Sequence, residues 1–564
     1  MTPLLTEHVE TDVLIVGGGV AALRAAVAAC ESGTRVLLCA KGIAGRSGNT
    51  VVSTADISAY IPELGVDDSQ AIFAADTLGS GASIADAELV GILAERSGPA
   101  LLDLERHGIT LLRDANGIDR TRGAGHTRAR TYRADSKGLG ANKGLALSVP
   151  LAKRAEALGA RLLHRTPVVR FEVVDGELVG VTAVSLESGI VYSIRAGATV
   201  LAAGGAAHLY ARTNGTADAT GDALALAMRA GAQTQDLEFV QWHPTRMDRP
   251  VSLFLTNGLL ADGAMFRDGN GREFMTDYDE RGNLAPRDVL AKAIYLESMS
   301  ERGVDGGVYL DCSPIPLDRI ALRHAYLAET LEKHGVDFPA DWLVVSPATH
   351  FMMGGVVIDR HGAASLPGLF AAGESAAGIH GANRLGGNAF CEGLVFGTIS
   401  GEAAAASARR RTRASVPSRP ADFLAERIDP EAADPRAELS RLWQRVREGL
   451  WRDASIVRSG PGLAAAQAML VEVRSEVARL RARTPAEAAR VLDLAAALDC
   501  ATAIASAAIF REESRGAHWR SDFPDTSPDW LGSIIVDWPA TAPTPTLTFR
   551  PKLASSPAHK TSVR

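Results

Sequence analysis

Asp12-Val13-Leu14-Ile15-Val16-Gly17-Gly18-Gly19-Val20-Ala21-Ala22 is a short, largely β-branched run that stops on a glycine triplet and opens into an alanine-rich segment. A continuous apolar run of this kind predicts a buried parallel strand. The alanine-rich segment predicts a helix from Val20 to Glu31, ended by Gly33, and Arg35 to Cys39 predicts a second buried strand. Together they form one βαβ unit of about thirty residues. At its first turn stands Gly17-x-Gly19-x-x-Ala22. Gly17 permits the tight turn, Gly19 lets the backbone approach a pyrophosphate, and Ala22 lets the helix pack closely; the helix N-terminus favours the phosphate charge. The carboxylate that commonly ends the second strand and binds a ribose is missing, because Ala40 and Lys41 stand there. Something other than that acid must serve the ribose, or the cofactor is not NAD.

Further along, Ala198 to Ala203 is another apolar run ending in Gly204-Gly205, and Gly368 to Glu374 is a third strand-to-loop punctuation. The nucleotide-binding unit is therefore expected to be discontinuous: residues 1–235 and 348–408, with 236–347 inserted. Residues 409–434, rich in Arg, Ala, Ser and Pro, read as a linker, and 435–538 as a C-terminal helical bundle. Residues 539–564 read as a tail with an edge strand at Thr546 to Arg550. The fold class is α/β, a Rossmann-like domain with an inserted α+β unit and a helical C-terminal domain.

The chain has 564 residues, 59 Lys+Arg against 66 Asp+Glu, and a formal net charge of −7. This is globular composition, long enough to bury a core without staples. The mild acidity argues against a nucleic-acid partner held by bulk charge. The five cysteines, Cys30, Cys39, Cys312, Cys391 and Cys500, show no CxxC spacing, so no zinc or iron–sulfur site is expected. They read as reduced thiols of a cytoplasmic protein. The first ten residues carry no basic region of a secretory signal, and no membrane span is expected.

Several segments, in order along most of the chain, resemble the flavoprotein subunits of succinate dehydrogenase and fumarate reductase, and L-aspartate oxidase. They are Val13 to Ala22, Arg46 to Thr50, Ala202 to Gly205, Thr220-Gly221-Asp222, Glu238 to Thr245 and Leu284 to Asp288. His350 to Gly355, Ala372-Gly373-Glu374, His380 to Asn388 and Glu513 to His518 complete the set. The resemblance implies FAD in the Rossmann-like domain, with residues 236–347 as a capping domain that closes over the flavin. It implies FAD contacts from Gly17, Gly19, Ala22, Lys41, Ser47, Asn49, Thr50, Gly204, Asp222, Glu374, Asn388 and Ala389. Respiratory members bond FAD covalently through a histidine in the loop matched by Arg46 to Thr50. This loop has no histidine, so non-covalent FAD is expected.

The same resemblance implies a substrate cage of His243, Thr256, His350 and Arg384, with Arg287 as the catalytic group that moves a proton. A dicarboxylate brings two negative charges, and each needs charge-assisted donors. Arg384 can grip one carboxylate bidentately with help from His350, while His243 and Thr256 hold the other. The sequence departs from the family around Thr256. Where the family reads Thr-Glu-x-x-Arg-Gly-Glu-Gly, this chain reads Thr256-Asn257-Gly258-Leu259-Leu260-Ala261-Asp262-Gly263. Asn257 and Leu260 cannot titrate, so the usual relay to Arg287 is missing, and Asp262 or Asp288 with a water is the substitute to test. Gly123-Ala124-Gly125-His126-Thr127-Arg128 resembles a loop of L-aspartate oxidase.

The function read from all of this is an FAD-dependent oxidoreductase that moves hydride between flavin N5 and a small carboxylate. The substrate expected is a C4 dicarboxylate or its amino derivative, with oxygen, fumarate or a quinone as electron acceptor. The alternatives are a flavoprotein that passes electrons to a separate iron–sulfur subunit, a related scaffold acting on an unusual acid in a biosynthetic pathway, and a flavin-binding protein without turnover.

Overall fold

The computed structural model describes residues 4–64, 67–114, 117–123, 125–256, 258–411 and 421–552. Ala124, Asn257, positions 412–420 of the expected linker and the end of the tail from 553 lie outside the described residues.

The opening stretch forms the strand Thr6–Val16 and the helix Val20–Glu31. The strand pairs in parallel with Val36–Cys39 on one side and Val191–Leu201 on the other. Arg161–Leu163 and Leu369–Ala371 extend the parallel part, and Glu177–Val184 and Val168–Val174 add an antiparallel edge, giving seven strands. Parallel strands end on the same side, so the turns after Val16, Cys39, Leu201 and Ala371 gather along one rim. Val13, Leu14 and Ile15 are fully buried, as a strand covered on both faces requires. One cover is the helix Asn388–Arg410, which packs on Val20–Glu31 through small residues. A Cβ on Gly401 would stand 2.4 Å from the carbonyl oxygen of Ala25, so only glycine allows this approach.

The inserted segment has its own antiparallel sheet of five strands, in the order Leu253–Phe254, Val240–Met247, Leu343–Met352, Val308–Asp311 and Met265–Arg267. It has a separate apolar core that includes Phe266, Phe274, Leu290, Ile294 and Leu310. The strand Leu343–Met352 runs through position 347 without a break. It carries the chain from the inserted unit toward the Rossmann-like rim.

The C-terminal region contributes the helices Arg436–Ala454, Gly460–Arg479 and Pro485–Phe510. Pro461 and Pro485 do not interrupt them. Both lie in first turns, behind Ser459 and Thr484, whose side chains accept from the N–H groups of Gly462 and Glu487. Thr546–Pro551 pairs with Gly532–Asp537, and that strand continues through Thr234–Gln235 to Gly355–Val356. Residues on both sides of position 538 thus belong to one hairpin. Among the described residues Pro485–Phe510 alone is long and apolar enough to cross a membrane, and 61% of its apolar window is buried inside the protein.

Candidate active site

The rim of the seven-stranded sheet and the inserted unit enclose a cavity of about 660 Å³. Its floor is the glycine turn. Gly17 has φ +131, and a Cβ there would stand 2.1 Å from the carbonyl oxygen of Ala202. Gly19 caps the helix Val20–Glu31 without a side-chain acceptor, and the Val20 N–H donates to Thr50 Oγ1 at 3.1 Å. A bare helix N-terminus on an open cradle suits a pyrophosphate.

The predicted cofactor residues gather around this cradle. Gly17, Gly19, Lys41, Ser47, Asn49, Thr50, Gly204, Asp222, Glu374 and Ala389 line the cavity. Asn49 Oδ1 accepts from the Thr216 N–H at 2.9 Å, and its Nδ2 donates to Glu374 Oε2 at 3.4 Å. Ser47 Oγ donates to the Ile43 carbonyl at 3.0 Å, which ties the loop to itself. Burial pushes the Glu374 carboxyl up to about 7, against the opposing hydrogen bonds from Met352 N–H and Asn49. Ala22 is fully buried and acts through packing. The side chain of Asn388 is turned away from the cavity, its Nδ2 donating to Thr77 Oγ1 at 3.1 Å.

Lys41 occupies the place of the missing ribose acid. Its Nζ lies 2.9 Å from Asp222 and 2.8 Å from Asp493, and it donates to Thr220 Oγ1 at 2.6 Å. Burial opposes the charge, but the two carboxylates outweigh it and raise the lysine's pKa. Asp493 comes from the helix Pro485–Phe510, far away in sequence. Its signal in the sequence is faint: a lone acid inside Val491-Leu492-Asp493-Leu494.

The end of the cavity expected to hold substrate is strongly cationic. Arg287 begins the helix Arg287–Ser298, and Arg384 is 6% exposed in the loop before Asn388. Both line the cavity, and both have a buried Nε without a hydrogen-bond partner. The Arg384 guanidinium lies 4.4 Å from the Phe351 ring centroid and donates from Nη1 to the Leu385 carbonyl at 3.0 Å. Burial and the nearby Arg287 charge pull Arg384 down to about 9. Burial also lowers Arg287, partly offset by Asp56. His350 lines the cavity too; burial and then the charges of Arg384 and Arg287 hold its pKa well below the ordinary histidine value.

Thr256 lines the cavity, its Oγ1 accepting from the Gly258 N–H at 3.0 Å. His243 does not reach the cavity wall. It is fully buried, its ring centroid 4.2 Å from that of Phe254, and Phe254 forms the wall in its place. Phe254 also lies parallel to His350 at 5.6 Å. Sequence reasoning missed Phe254, since a strand residue's facing depends on tertiary register. Asp288 is likewise turned aside. It accepts from Asn383 Nδ2 at 3.2 Å and lines a second, smaller cavity of about 120 Å³. His126 is a buried support: its Nε2 is 3.1 Å from Ser58 Oγ and 2.8 Å from the Gly386 carbonyl oxygen.

A cradle for a dinucleotide beside a buried cationic cage has counterparts among known proteins. The family model described as "FAD binding domain" matches residues 12–390, and "Fumarate reductase flavoprotein C-term" matches residues 443–560. The chain belongs to the FAD-dependent fumarate reductase and L-aspartate oxidase family. It is 34% identical over 546 residues to a fumarate reductase (CoM/CoB) subunit of Methanothermobacter marburgensis, covering 94% of this chain and 98% of that one. It is 31% identical to the L-aspartate oxidase of Nostoc sp., covering 93% of each. Its fold matches a point variant of the E. coli quinol fumarate reductase FrdA, with a TM-score of 0.88 at 25% identity and 98% of each chain covered. This family member is thus an FAD-dependent oxidoreductase.

Proposed function

We propose that this flavoprotein moves a hydride between FAD and a C4 dicarboxylate. The observation that carries the reading is a pair of guanidiniums, buried Arg384 and half-buried Arg287, that line one cavity with a buried, unpartnered Nε each. Burial disfavours both charges, Arg287 further disfavours that of Arg384, and a dianion bridging them repays both. Bound FAD supplies a carrier that gives or takes a hydride at N5. Arg384 holds one carboxylate in its planar fork, and neutral His350 offers that end a hydrogen bond. Thr256 receives the other carboxylate. Arg287 stands over the reacting carbons and carries the proton. Phe254 and Phe351 exclude water from the reacting face.

The amino derivative fits less well. Asp56, a lining carboxylate near Arg287, is 2.7 Å from Arg133 Nε, so a substrate ammonium would compete for an occupied acid. FAD is held by non-covalent contacts, because residues 46–50 offer no histidine. The electron partner is oxygen, fumarate or a quinone. A separate iron–sulfur subunit is the alternative, and the Methanothermobacter relative is itself named as one subunit of its enzyme. Peroxide formation in air by the isolated chain separates the two.

The binding test uses the FAD-loaded protein. Succinate or fumarate perturbs the visible flavin band saturably, and Arg384→Met abolishes the perturbation with FAD retained. An unperturbed flavin in the wild-type protein contradicts the reading.

A further inference from the structure

Among the described residues the cavity is lined by two histidines, His350 and His324, in opposite electrostatic settings. His350 faces two guanidiniums and is held neutral. His324 joins the short helices Leu317–Arg323 and Ala325–Glu332 and is 6% exposed. Its Nε2 lies 2.8 Å from Asp262 Oδ2. Arg323 Nη1 donates to the other oxygen, Asp262 Oδ1, at 2.7 Å. The Asp262 side chain is itself 5% exposed, so the carboxylate is fixed from both sides. This cluster adjoins Thr256: a Cβ on Gly258 would lie 3.4 Å from Thr256 Oγ1 and 3.7 Å from His324 Cε1.

An imidazole at a cavity wall, oriented through one nitrogen by a buried carboxylate, is the arrangement of a general acid–base pair. The chemistry needs one. Hydride transfer at one carbon requires proton transfer at its neighbour, and an arginine exchanges protons poorly by itself. The other candidates are engaged or turned aside. Leu260 carries no proton, Asp288 lines the smaller cavity, and Asp56 is paired with Arg133.

We propose that His324, oriented by Asp262, exchanges the reaction's proton with Arg287 through the cavity. This rests on the dicarboxylate reading of the same site. In the reducing direction one alkene carbon accepts a hydride, with its two electrons, from the reduced flavin. The adjacent carbon accepts a proton from Arg287. The His324 imidazolium then returns a proton to Arg287, and solvent re-protonates His324. In this direction a quinol would resupply those two electrons to the flavin and leave as the quinone, one of its protons going to solvent. Oxidation of the saturated acid runs the same transfers backward, with a quinone as the two-electron acceptor that becomes the quinol. Asp262 is the positioning residue.

The test uses FAD-loaded wild-type protein with His324→Gln, His324→Ala and Asp262→Asn. His324→Gln is expected to bind succinate within about threefold of wild type while fumarate turnover falls about 100-fold or more. Asp262→Asn loses about tenfold. Added imidazole restores turnover to His324→Ala and not to His324→Gln, an effect that lost structure alone does not produce. In protein carrying 13C-labelled histidine rings, the signal missing from His324→Gln moves when succinate is added. Turnover near wild type in His324→Gln overturns the relay and leaves the dicarboxylate reading standing. So does a His324 signal that stays still while succinate perturbs the flavin. A wild-type flavin that ignores both succinate and fumarate overturns both.

Discussion

Arg384 concentrates the residue-scale argument. Its charge is desolvated, its Nε is unpartnered, and a second guanidinium repels it. A residue so placed costs stability and is retained for a ligand. Arg384→Met is expected to raise the unfolding free energy of the FAD-free protein by about 1 kcal/mol or more, read by chemical denaturation. Glu374 gives a pH-dependent counterpart. Its carboxyl binds a proton more tightly folded, at about 7, than at the ordinary value of 4.5. Its contribution is therefore fully present in acid and declines as the pH rises between those values, by on the order of 3 kcal/mol. Glu374→Gln removes that decline from the wild-type melting profile of the FAD-free protein, and a profile unchanged by the substitution would refute the assignment. The cage is legible in the sequence as residue types, because its histidines and arginines stand in motifs. Their facing is not. His243 lies behind Phe254, and a single strand residue decides that through packing. His243→Asn should lower turnover less than about tenfold, whereas Arg287→Ala should lower it about 1,000-fold, by steady-state rates at saturating acid.

Elements bring the two ends of the chain to one cofactor site. The strand Thr6–Val16 and helix Val20–Glu31 are legible because an unbroken apolar run, three glycines and an alanine-rich helix all agree. The C-terminal helices are legible as a group but not in their ends. The helical bundle is expected over 435–538, yet its last long helix stops at Phe510. There Arg511 is fully buried and pairs with Glu238 at 2.6 Å and Glu513 at 2.9 Å, an ionic knot that local periodicity does not reveal. Pro485 is a helix start, because Thr484 caps that turn. The same helix delivers Asp493 to Lys41. Asp493→Asn removes one of the two carboxylates that hold Lys41 and is expected to weaken FAD binding about tenfold, or ~1.4 kcal/mol, in a fluorescence titration. An unchanged dissociation constant would show that this helix braces the fold without tuning the site.

At the scale of the whole molecule, the Rossmann-like sheet supplies the cradle and the inserted unit supplies Arg287, Phe254 and Thr256 to the same cavity. Neither unit makes the site alone. The discontinuity is legible because strand-to-glycine punctuation recurs on both sides of the insertion. The place where the units join is not. The strand Leu343–Met352 passes through the expected boundary and carries His350 to the cavity wall. On the proposed reading, a departed relay beside a cationic cage is a coherent whole: the acid-binding wall is kept, and the proton path passes to other residues of the inserted unit. The most direct measurement is the anaerobic reoxidation of the photoreduced, FAD-loaded protein by fumarate, followed at the visible flavin band. The account predicts full reoxidation by saturating fumarate in the wild-type protein, and a rate lower by about 1,000-fold in Arg287→Ala at equal FAD content. A wild-type flavin that stays reduced in saturating fumarate, or an Arg287→Ala protein that reoxidises as fast as wild type, would contradict it.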